Sequence, residues 1–199
     1  MLDGAGEHFH LVGHSYGAAL AARIALTVPQ RVATLVLFEP TLFALLEAER
    51  PGGDAAAGIR NAAAAAAAAV ARGDLDGAGR AFIDFWLGAG AWDAMPAERR
   101  APLAASMRPM CHWATALFAE TLTLADLAAL QLPVLLLGGS TSPPAATEVL
   151  RLLRQAWPQA ESKVFAGDGH MGPVTHADAV NHEIERFLLA RGGAQGSAR

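Results

Sequence analysis

Several features that would place the chain in a special class of protein are rare or absent. Cysteine occurs once, as Cys111, in 199 residues, so no disulfide can form within the chain, and we expect a reducing cytoplasm. The first residues lack the basic cluster and apolar stretch of a secretory signal peptide. The longest apolar run, residues 62–70, is mostly alanine and is too short and too weakly hydrophobic to cross a bilayer.

An excess of charge of one sign is also missing. The 15 basic and 19 acidic residues give a net charge of −4, so electrostatics provide no reason to expect nucleic acid or an anionic membrane as a partner. Apolar residues make up 53% of the chain, which is enough for a sizeable core and argues against global disorder. The length suits one compact domain with room for an inserted subdomain.

Near the start of the chain, two short apolar segments flank a helix-forming one. Residues 9–12 are apolar and end at a glycine, which predicts a buried strand. Residues 16–28 have a good helix composition and end before a proline. Residues 32–38 are continuously apolar and partly β-branched, as in a strand covered on both faces. Together these segments predict a βαβ unit.

The next 90 or so positions, residues 41–130, have a different texture. They contain no β-branched runs, alanine dominates, and glycine and proline divide them into pieces. Alanine has the highest helix propensity, so this segment is predicted to be helical. The predicted helices cover residues 42–49, 54–72, 75–88 and 96–120.

Strands and helices alternate again after residue 130. This alternation predicts an α/β fold with an open, mostly parallel sheet and flanking helices. Thr175 and Asp178 have the spacing of a capping box for the last helix. Arg191 and Gly192-Gly193 are predicted to end that helix, and the tail to Arg199 is predicted to be disordered. The predicted elements are strands at residues 134–137 and 163–165, a helix from the Ser142-Pro143 cap to residue 156, and the last helix after Thr175.

Residues 13–17 read Gly-His-Ser-Tyr-Gly, between a predicted strand and a predicted helix. A serine on such a sharp turn needs a strained backbone, and small residues two positions away on either side let the chain fold over. The turn would hold the Ser15 hydroxyl clear of the sheet and aim the backbone N–H of Tyr16 at a developing oxyanion. Ser15 is therefore the predicted nucleophile; the alternative is an idle serine in a glycine-flanked turn.

His170 is the candidate general base. It follows a short predicted strand and a glycine-flanked loop, where an imidazole could turn toward Ser15. The alternative is a solvated loop histidine. His14 is expected to pack locally, and His176 to lie in a first helical turn. The remaining histidines show no shared spacing, so no metal site and no cofactor is predicted.

At this point the sequence resembles the lid-bearing branch of the α/β-hydrolase family. The resemblance rests on residues 11–17, 29–40, 132–138 and 167–170. It implies a hydrolase core of residues 1–40 and 131–199, with residues 41–130 forming a helical lid over the active site. In the family several strands precede the nucleophile strand, so the resemblance implies an N-terminally truncated core. The missing part would include the loop that donates a second oxyanion N–H.

The sequence does not decide which carboxylate, if any, is the partner of the base. Many relatives place an Asp after the strand that here ends at Leu137, but residues 138–143 contain no carboxylate. Glu39 ends the strand after the nucleophile helix, and in an open α/β sheet the strand ends face one crevice. Some lid-bearing relatives, including haloalkane dehalogenases, resemble this placement. Glu39 is preferred, with Asp168, or no acid at all, as alternatives.

A serine nucleophile implies acyl-enzyme chemistry on an ester, thioester or related acyl-type small molecule, with an apolar acyl substrate under the lid. It disfavours dehalogenation. The alternative function is a catalytically impaired remnant, or a binding or assembly module that self-associates through an exposed sheet edge. Four lid aromatics are candidates for lining a pocket, although plain packing is the commoner role of such side chains. They are Trp86, Trp92, Trp113 and Phe118.

Overall fold

The computed structural model describes residue 4 and residues 6–192, except for the side chains at 110–114 and 192. Its described part contains a four-stranded parallel sheet with the strands in chain order. This confirms the predicted α/β class with a parallel sheet. The strands are β1 (Phe9–His14), β2 (Val32–Phe38), β3 (Val134–Gly139) and β4 (Glu161–Phe165).

The two central strands, β2 and β3, are buried almost throughout. Their continuous apolar sequences suit strands that are covered on both faces. β1 pairs with β2 on one side and, in the described chain, forms an edge of the sheet. Its Val12 is 51% exposed, which is unusual for a β-branched residue inside a strand.

Helices cover both faces of the sheet. On one face, α1 (Tyr16–Thr27) packs against β2 and α8 (Pro144–Ala156) packs against β3, in one hydrophobic cluster with Leu35 and Leu37. The small alanines on the buried side of α1 bring this helix close to the sheet. On the other face, α10 (Ala177–Gly192) places Phe187 against the alternate side chains of β2 and β3.

The segment between β2 and β3 is helical, as its composition predicted. Trp92 is fully buried in it and donates its indole N–H to Asp76 at 3.0 Å. A Cβ added at Gly79 would lie 2.4 Å from the Trp92 ring, so the glycine makes room for the indole. The helices are α2 (Ala44–Glu49), α3 (Asp54–Ala71), α4 (Leu75–Leu87), α5 (Ala91–Ala94), α6 (Ala97–Phe118) and α7 (Leu124–Ala128).

Some local predictions were wrong. The short helices α5 and α7 were not predicted, and α7 begins with a capping box between Thr123 and Asp126. The predicted box at Thr175 does not form, because Thr175 ends another short helix, α9 (Gly172–Thr175). Its hydroxyl donates to the carbonyl of Met171 at 3.2 Å instead. The predicted disordered tail, residues 193–199, lies outside the described residues.

The parallel sheet determines where a site can form. The carboxyl ends of parallel strands meet at one edge of the sheet, where ligands bind in open α/β folds. Ser15 and Glu39 follow the ends of β1 and β2 directly, and His170 lies on the loop after β4. Within the described residues, no helix is both long enough and apolar enough to span a membrane.

Candidate active site

Ser15 lies on the turn between β1 and α1 in a rare backbone conformation. Its φ is 56° and its ψ is −121°, a strained combination for a residue with a side chain. The Ser15 N–H donates to the carbonyl of Phe38 at 3.0 Å, and its carbonyl accepts from Ala18 and Ala19 at 3.1 Å. The surrounding backbone therefore holds the strained turn in place.

The two glycines that flank the serine differ in the space available for a side chain. A Cβ added at Gly13 would lie 2.5 Å from the carbonyl oxygen of Gly17 and 2.6 Å from Ala18. The turn therefore requires the glycine at position 13. A Cβ at Gly17 would meet nothing within 4 Å in the described chain. The expectation that both positions need small residues was wrong for Gly17.

The structure places His170 within hydrogen-bond distance of Ser15. The imidazole Nε2 lies 3.0 Å from the Ser15 Oγ, and the histidine is 4% exposed. The two residues are far apart in sequence, and the loop after β4 brings them together. This is the geometry that a general base needs toward a serine hydroxyl.

Glu39 lies on the opposite side of the imidazole from Ser15. Its Oε2 lies 2.7 Å from the His170 Nδ1, and it is 1% exposed. Since a carboxylate accepts, the Nδ1 carries the proton, which leaves Nε2 free to accept from the serine hydroxyl. Glu39 has a φ of 44°, so a second strained residue stands beside the same imidazole.

The other carboxylate oxygen of Glu39 is held by the segment after β3. The Gly139 N–H and the Ser142 hydroxyl donate to Oε1 at 2.7 and 2.5 Å. The segment that lacks a carboxylate of its own thus supplies two donors to Glu39. The expectation that Ser142 caps a helix was wrong: Pro143 occupies the cap position of α8, and the Ser142 side chain turns to the glutamate instead.

Asp168, the alternative acid, contacts a different histidine. Its carboxylate pairs with Nδ1 of His176, and its backbone carbonyl accepts from the N–H and hydroxyl of Thr141 at 2.8 Å. These contacts hold Asp168 in place with its carboxylate on His176. His176 lies between α9 and α10, immediately before the first turn in which it was predicted.

His14 contacts the loop that carries His170. Its Nε2–H donates to the backbone carbonyl of His170 at 2.8 Å, and the two ring centroids lie 4.8 Å apart. The ring also meets Phe38 edge-on. Burial lowers the pKa of His14 most, and the nearby charge of His170 lowers it further. The expectation of purely local packing was wrong.

A cavity of about 230 Å³ lies beside Ser15 and Tyr16. Most of its lining is aliphatic or aromatic and comes from helices of the segment between β2 and β3. Of the four candidate aromatics, Trp86 and Phe118 line it although plain packing was the preferred prediction, Trp92 does not, and the Trp113 side chain lies outside the described residues. Its lining is Ser15, Tyr16, Thr41, Phe43, Ile59, Ala63, Phe82, Trp86, Leu117 and Phe118.

Trp86 makes the closest ring contact to the base. Its indole lies stacked on the His170 imidazole, with a centroid distance of 3.8 Å and an angle of 25° between the planes.

Two buried polar atoms in the cavity lining, Trp86 Nε1 and Thr41 Oγ1, have no hydrogen-bond partner in the described part of the protein. The described side chains also contain no cluster of three metal-ligating groups.

A family profile for the alpha/beta hydrolase fold matches residues 5–177. The chain belongs to the alpha/beta hydrolase fold family. No curated protein sequence gives a significant match to the chain.

Solved structures of alpha/beta hydrolases resemble the chain in fold. A hydrolase from Oleispira antarctica superposes with a TM-score of 0.68 at 16% identity, covering 92% of this chain and 65% of its own. An esterase from Rhodococcus sp. gives 0.67 at 20%, covering 93% and 66%. An N-acyl homoserine lactone degrading enzyme gives 0.64 at 20%, covering 91% and 68%. The chain thus spans about two thirds of the length of these structures.

Sequence reasoning missed two polar contacts of this alpha/beta hydrolase site. Ser142 was predicted to be a helix cap because a proline follows it, and His14 was predicted to pack locally. Both bond to partners on distant segments, so no local pattern could reveal them. A weak signal was present at the Ser142 segment, where hydroxyl residues stand in place of the expected acid.

Proposed function

We propose that this alpha/beta hydrolase is a serine hydrolase that forms an acyl-enzyme on Ser15. The observation that carries the proposal is the continuous series of contacts from the Ser15 Oγ through the His170 imidazole to Glu39, at 3.0 and 2.7 Å. A nucleophile, a base and a group that orients the base in this order are the parts that acyl transfer requires.

In the acylation step, the Ser15 Oγ attacks the substrate carbonyl carbon while His170 Nε2 takes the hydroxyl proton. The carbonyl oxygen becomes an oxyanion, and the Tyr16 N–H at the start of α1 donates to it. When the tetrahedral intermediate collapses, the bond to the leaving group breaks and His170 returns the proton to that group. Glu39 stabilises the imidazolium between these events.

In the deacylation step, a water molecule replaces the serine as nucleophile. His170 accepts a proton from this water as its oxygen attacks the acyl carbon, and the ester bond to Ser15 then breaks. The Ser15 Oγ regains its proton from His170, and the acid product leaves. Gly139 and Ser142 hold the Glu39 carboxylate in position beside the imidazole in both steps.

The proposed domain division follows the sheet. Residues 1–40 and 131–199 form the hydrolase core, and residues 41–130 form a helical lid. The position of Trp86 on α4 supports this division, because its side chain lies on the His170 ring. A lid in this position would exclude water from the acyl group.

The proposed substrate is an ester, a thioester or a related acyl-type small molecule. The apolar lining of the 230 Å³ cavity beside Ser15 supports an apolar acyl group. Two of the superposed structures are named as an esterase and as an N-acyl homoserine lactone degrading enzyme. An ester has a scissile acyl carbonyl, and an N-acyl homoserine lactone has both a lactone and an amide carbonyl, so both names fit acyl-transfer chemistry.

A fluorophosphonate probe tests the nucleophile directly, because it forms a covalent bond only with an activated serine. We expect the 199-residue chain to be labelled and the Ser15→Ala variant to remain unlabelled, with mass spectrometry locating the adduct on Ser15. The Ser162→Ala variant on the exposed strand β4 is the matched control and should be labelled like wild type. Failure of the folded wild-type chain to react would refute the proposal.

A second proposal concerns the exposed edge of β1. We propose that two copies of the chain associate through this edge, since Val12 in this strand is about half exposed and β1 pairs on one side in the described chain. Light scattering coupled to size exclusion should report a dimer. A Val12→Lys variant should shift it toward monomer, and a monomeric wild type at high concentration would contradict the proposal.

A further inference from the structure

Trp86 separates two cavities of the protein. The first, about 230 Å³, reaches Ser15, and the second, about 700 Å³, lies beside Asp168 and His176. Among the described lining residues, Trp86 alone belongs to both. Its side chain is 7% exposed and is held against the His170 ring. The indole therefore lies at the boundary that the two cavities share.

The chemistry of the smaller cavity favours a hydrocarbon chain. Away from Ser15 its wall is made of side chains such as Ile59, Phe82 and Phe118, which offer no charge and no hydrogen bond to a ligand. Burying methylene groups against such a wall is favourable in proportion to the area removed from water. An acyl chain attached at Ser15 would extend along it.

The volume of this cavity gives an approximate chain length. An apolar cavity of about 150 Å³ is known to hold benzene, a ligand of six carbons. In proportion, the cavity of about 230 Å³ has room for roughly nine carbons. Removing the indole would give the chain access to the larger cavity on the other side of Trp86.

We propose that the substrates carry a medium-length linear acyl chain of about eight or nine carbons, and that the indole of Trp86 sets this limit. The inference rests on the proposed function, because it places the acyl carbonyl at Ser15. Trp86 is thus a specificity-determining residue, and the second cavity is closed to the acyl chain while the indole is in place.

Binding to a variant that cannot react tests this inference separately from catalysis. In the Ser15→Ala background, calorimetry would measure the affinity of saturated carboxylates from butyrate through hexanoate, octanoate and decanoate to dodecanoate. Each methylene that enters the cavity should tighten binding by about fourfold. We expect this gain up to octanoate or decanoate and no further gain at dodecanoate.

The Trp86→Ala change should remove the limit. The indole N–H has no partner in the described protein, so this change leaves no other polar group unpaired. Affinity should then continue to rise to dodecanoate, by about fourfold for each added methylene. Leu87→Ala is the matched control, because Leu87 lines only the larger cavity in the described structure. It should keep the wild-type limit.

Circular dichroism would reveal any loss of folding in Trp86→Ala. A second variant keeps the inference testable if that loss occurs. Ala63→Leu, on α3, adds volume to the lining of the smaller cavity and should move the limit to a shorter acid. A Trp86→Ala protein that keeps the wild-type limit, or an Ala63→Leu protein with an unchanged limit, would overturn the inference. So would wild-type affinities that do not depend on chain length.

The two proposals can fail separately. If fluorophosphonate does not label Ser15 but the carboxylates bind with the expected length limit, the cavity is an acyl-binding site without the proposed chemistry. If Ser15 is labelled and the carboxylates show no length limit, the protein is a serine hydrolase and Trp86 does not select its substrates.

Discussion

The imidazole of His14 donates a hydrogen bond to the backbone carbonyl of His170 at 2.8 Å. The residue that precedes the candidate nucleophile therefore fastens the loop that carries the candidate base. This contact joins β1 to the loop after β4, which are at opposite sides of the sheet order. We infer that His14 positions His170, and that its effect on the reaction passes through the base.

Replacing His14 by Phe should lower kcat more than it changes KM. Phe keeps a ring against Phe38 but cannot donate to the His170 carbonyl, and one hydrogen bond is worth about 0.5–1.5 kcal/mol, or roughly a two- to tenfold change in rate. His14→Gln retains a donor and should recover most of the activity. Equal losses in both variants, measured by steady-state kinetics, would contradict a positioning role.

The same histidine should make folding stability depend on pH. Its pKa in the folded state is lowered from 6.5, chiefly by burial, so the unfolded chain binds the proton more readily. The free energy of unfolding should therefore decrease as the pH falls below 6.5. Urea denaturation across this range should show a shallower decline for His14→Gln, which does not titrate.

The two candidate acids predict different kinetics. Glu39→Gln should lower kcat by on the order of 10³–10⁴-fold, because an amide cannot stabilise the imidazolium as a carboxylate does. Asp168→Asn should leave kcat within about tenfold of wild type, since its carboxylate contacts His176. The reverse order of effects would assign the acid to Asp168.

The Ser142 hydroxyl should contribute to activity through Glu39. Hydrogen bonds to charged groups are worth about 1.5–3 kcal/mol, and Ser142 donates to the Glu39 carboxylate at 2.5 Å. Ser142→Ala should therefore lower kcat by about ten- to a hundredfold, while Ser142→Thr should retain much of the activity. An alanine variant as active as wild type would show that the Gly139 N–H suffices.

The glycines on either side of Ser15 should respond differently to alanine. Gly13→Ala should cost about 1–3 kcal/mol or more of folding stability, because its Cβ would overlap the backbone of Gly17 and Ala18. Gly17→Ala should be neutral or stabilising by up to about 1 kcal/mol, since the position is helical and open. Thermal denaturation of both variants checks this difference.

A network of ion pairs between β4 and α10 should weaken in acid. Hydrogen bonds from Arg186, and then from Lys163, lower the pKa of Glu183 below its usual 4.5. The stabilisation is therefore present above this value and is lost as the pH falls through the lowered pKa. Glu183→Gln should cost at most about 1 kcal/mol at neutral pH, because the basic partners are half exposed. The cost should disappear in strong acid. Glu185→Gln, exposed on the same helix, is the control.

The sequence predicted the part of the site that depends on sheet topology. A serine turn between a strand and a helix needs local residues only, so residues 13–17 were sufficient to propose Ser15. Parallel strands end at a common edge, and this rule predicted that Glu39 would lie near Ser15. The structure places both beside His170. Their catalytic roles stay predictions until the kinetic tests above are made.

The remaining parts depend on contacts that no local pattern encodes. The Thr175 and Ser142 predictions used short-range capping rules, and both failed where a different partner was closer. The pairing of Asp168 with His176 depends on the turn between α9 and α10, which capping rules and periodicity do not describe. Likewise, the short helices α5 and α7 lie below the length at which periodicity is informative.

The helical segment between β2 and β3 has a consequence for how the protein folds. The Glu39 contacts with Gly139 and His170 span 100 and 131 residues, and the contact of His170 with Ser15 spans 155. Contacts of such long sequence separation form slowly, whereas helices form from near neighbours. During refolding, circular dichroism should therefore recover before fluorophosphonate reactivity, which makes reactivity at Ser15 a reporter of the completed chain topology.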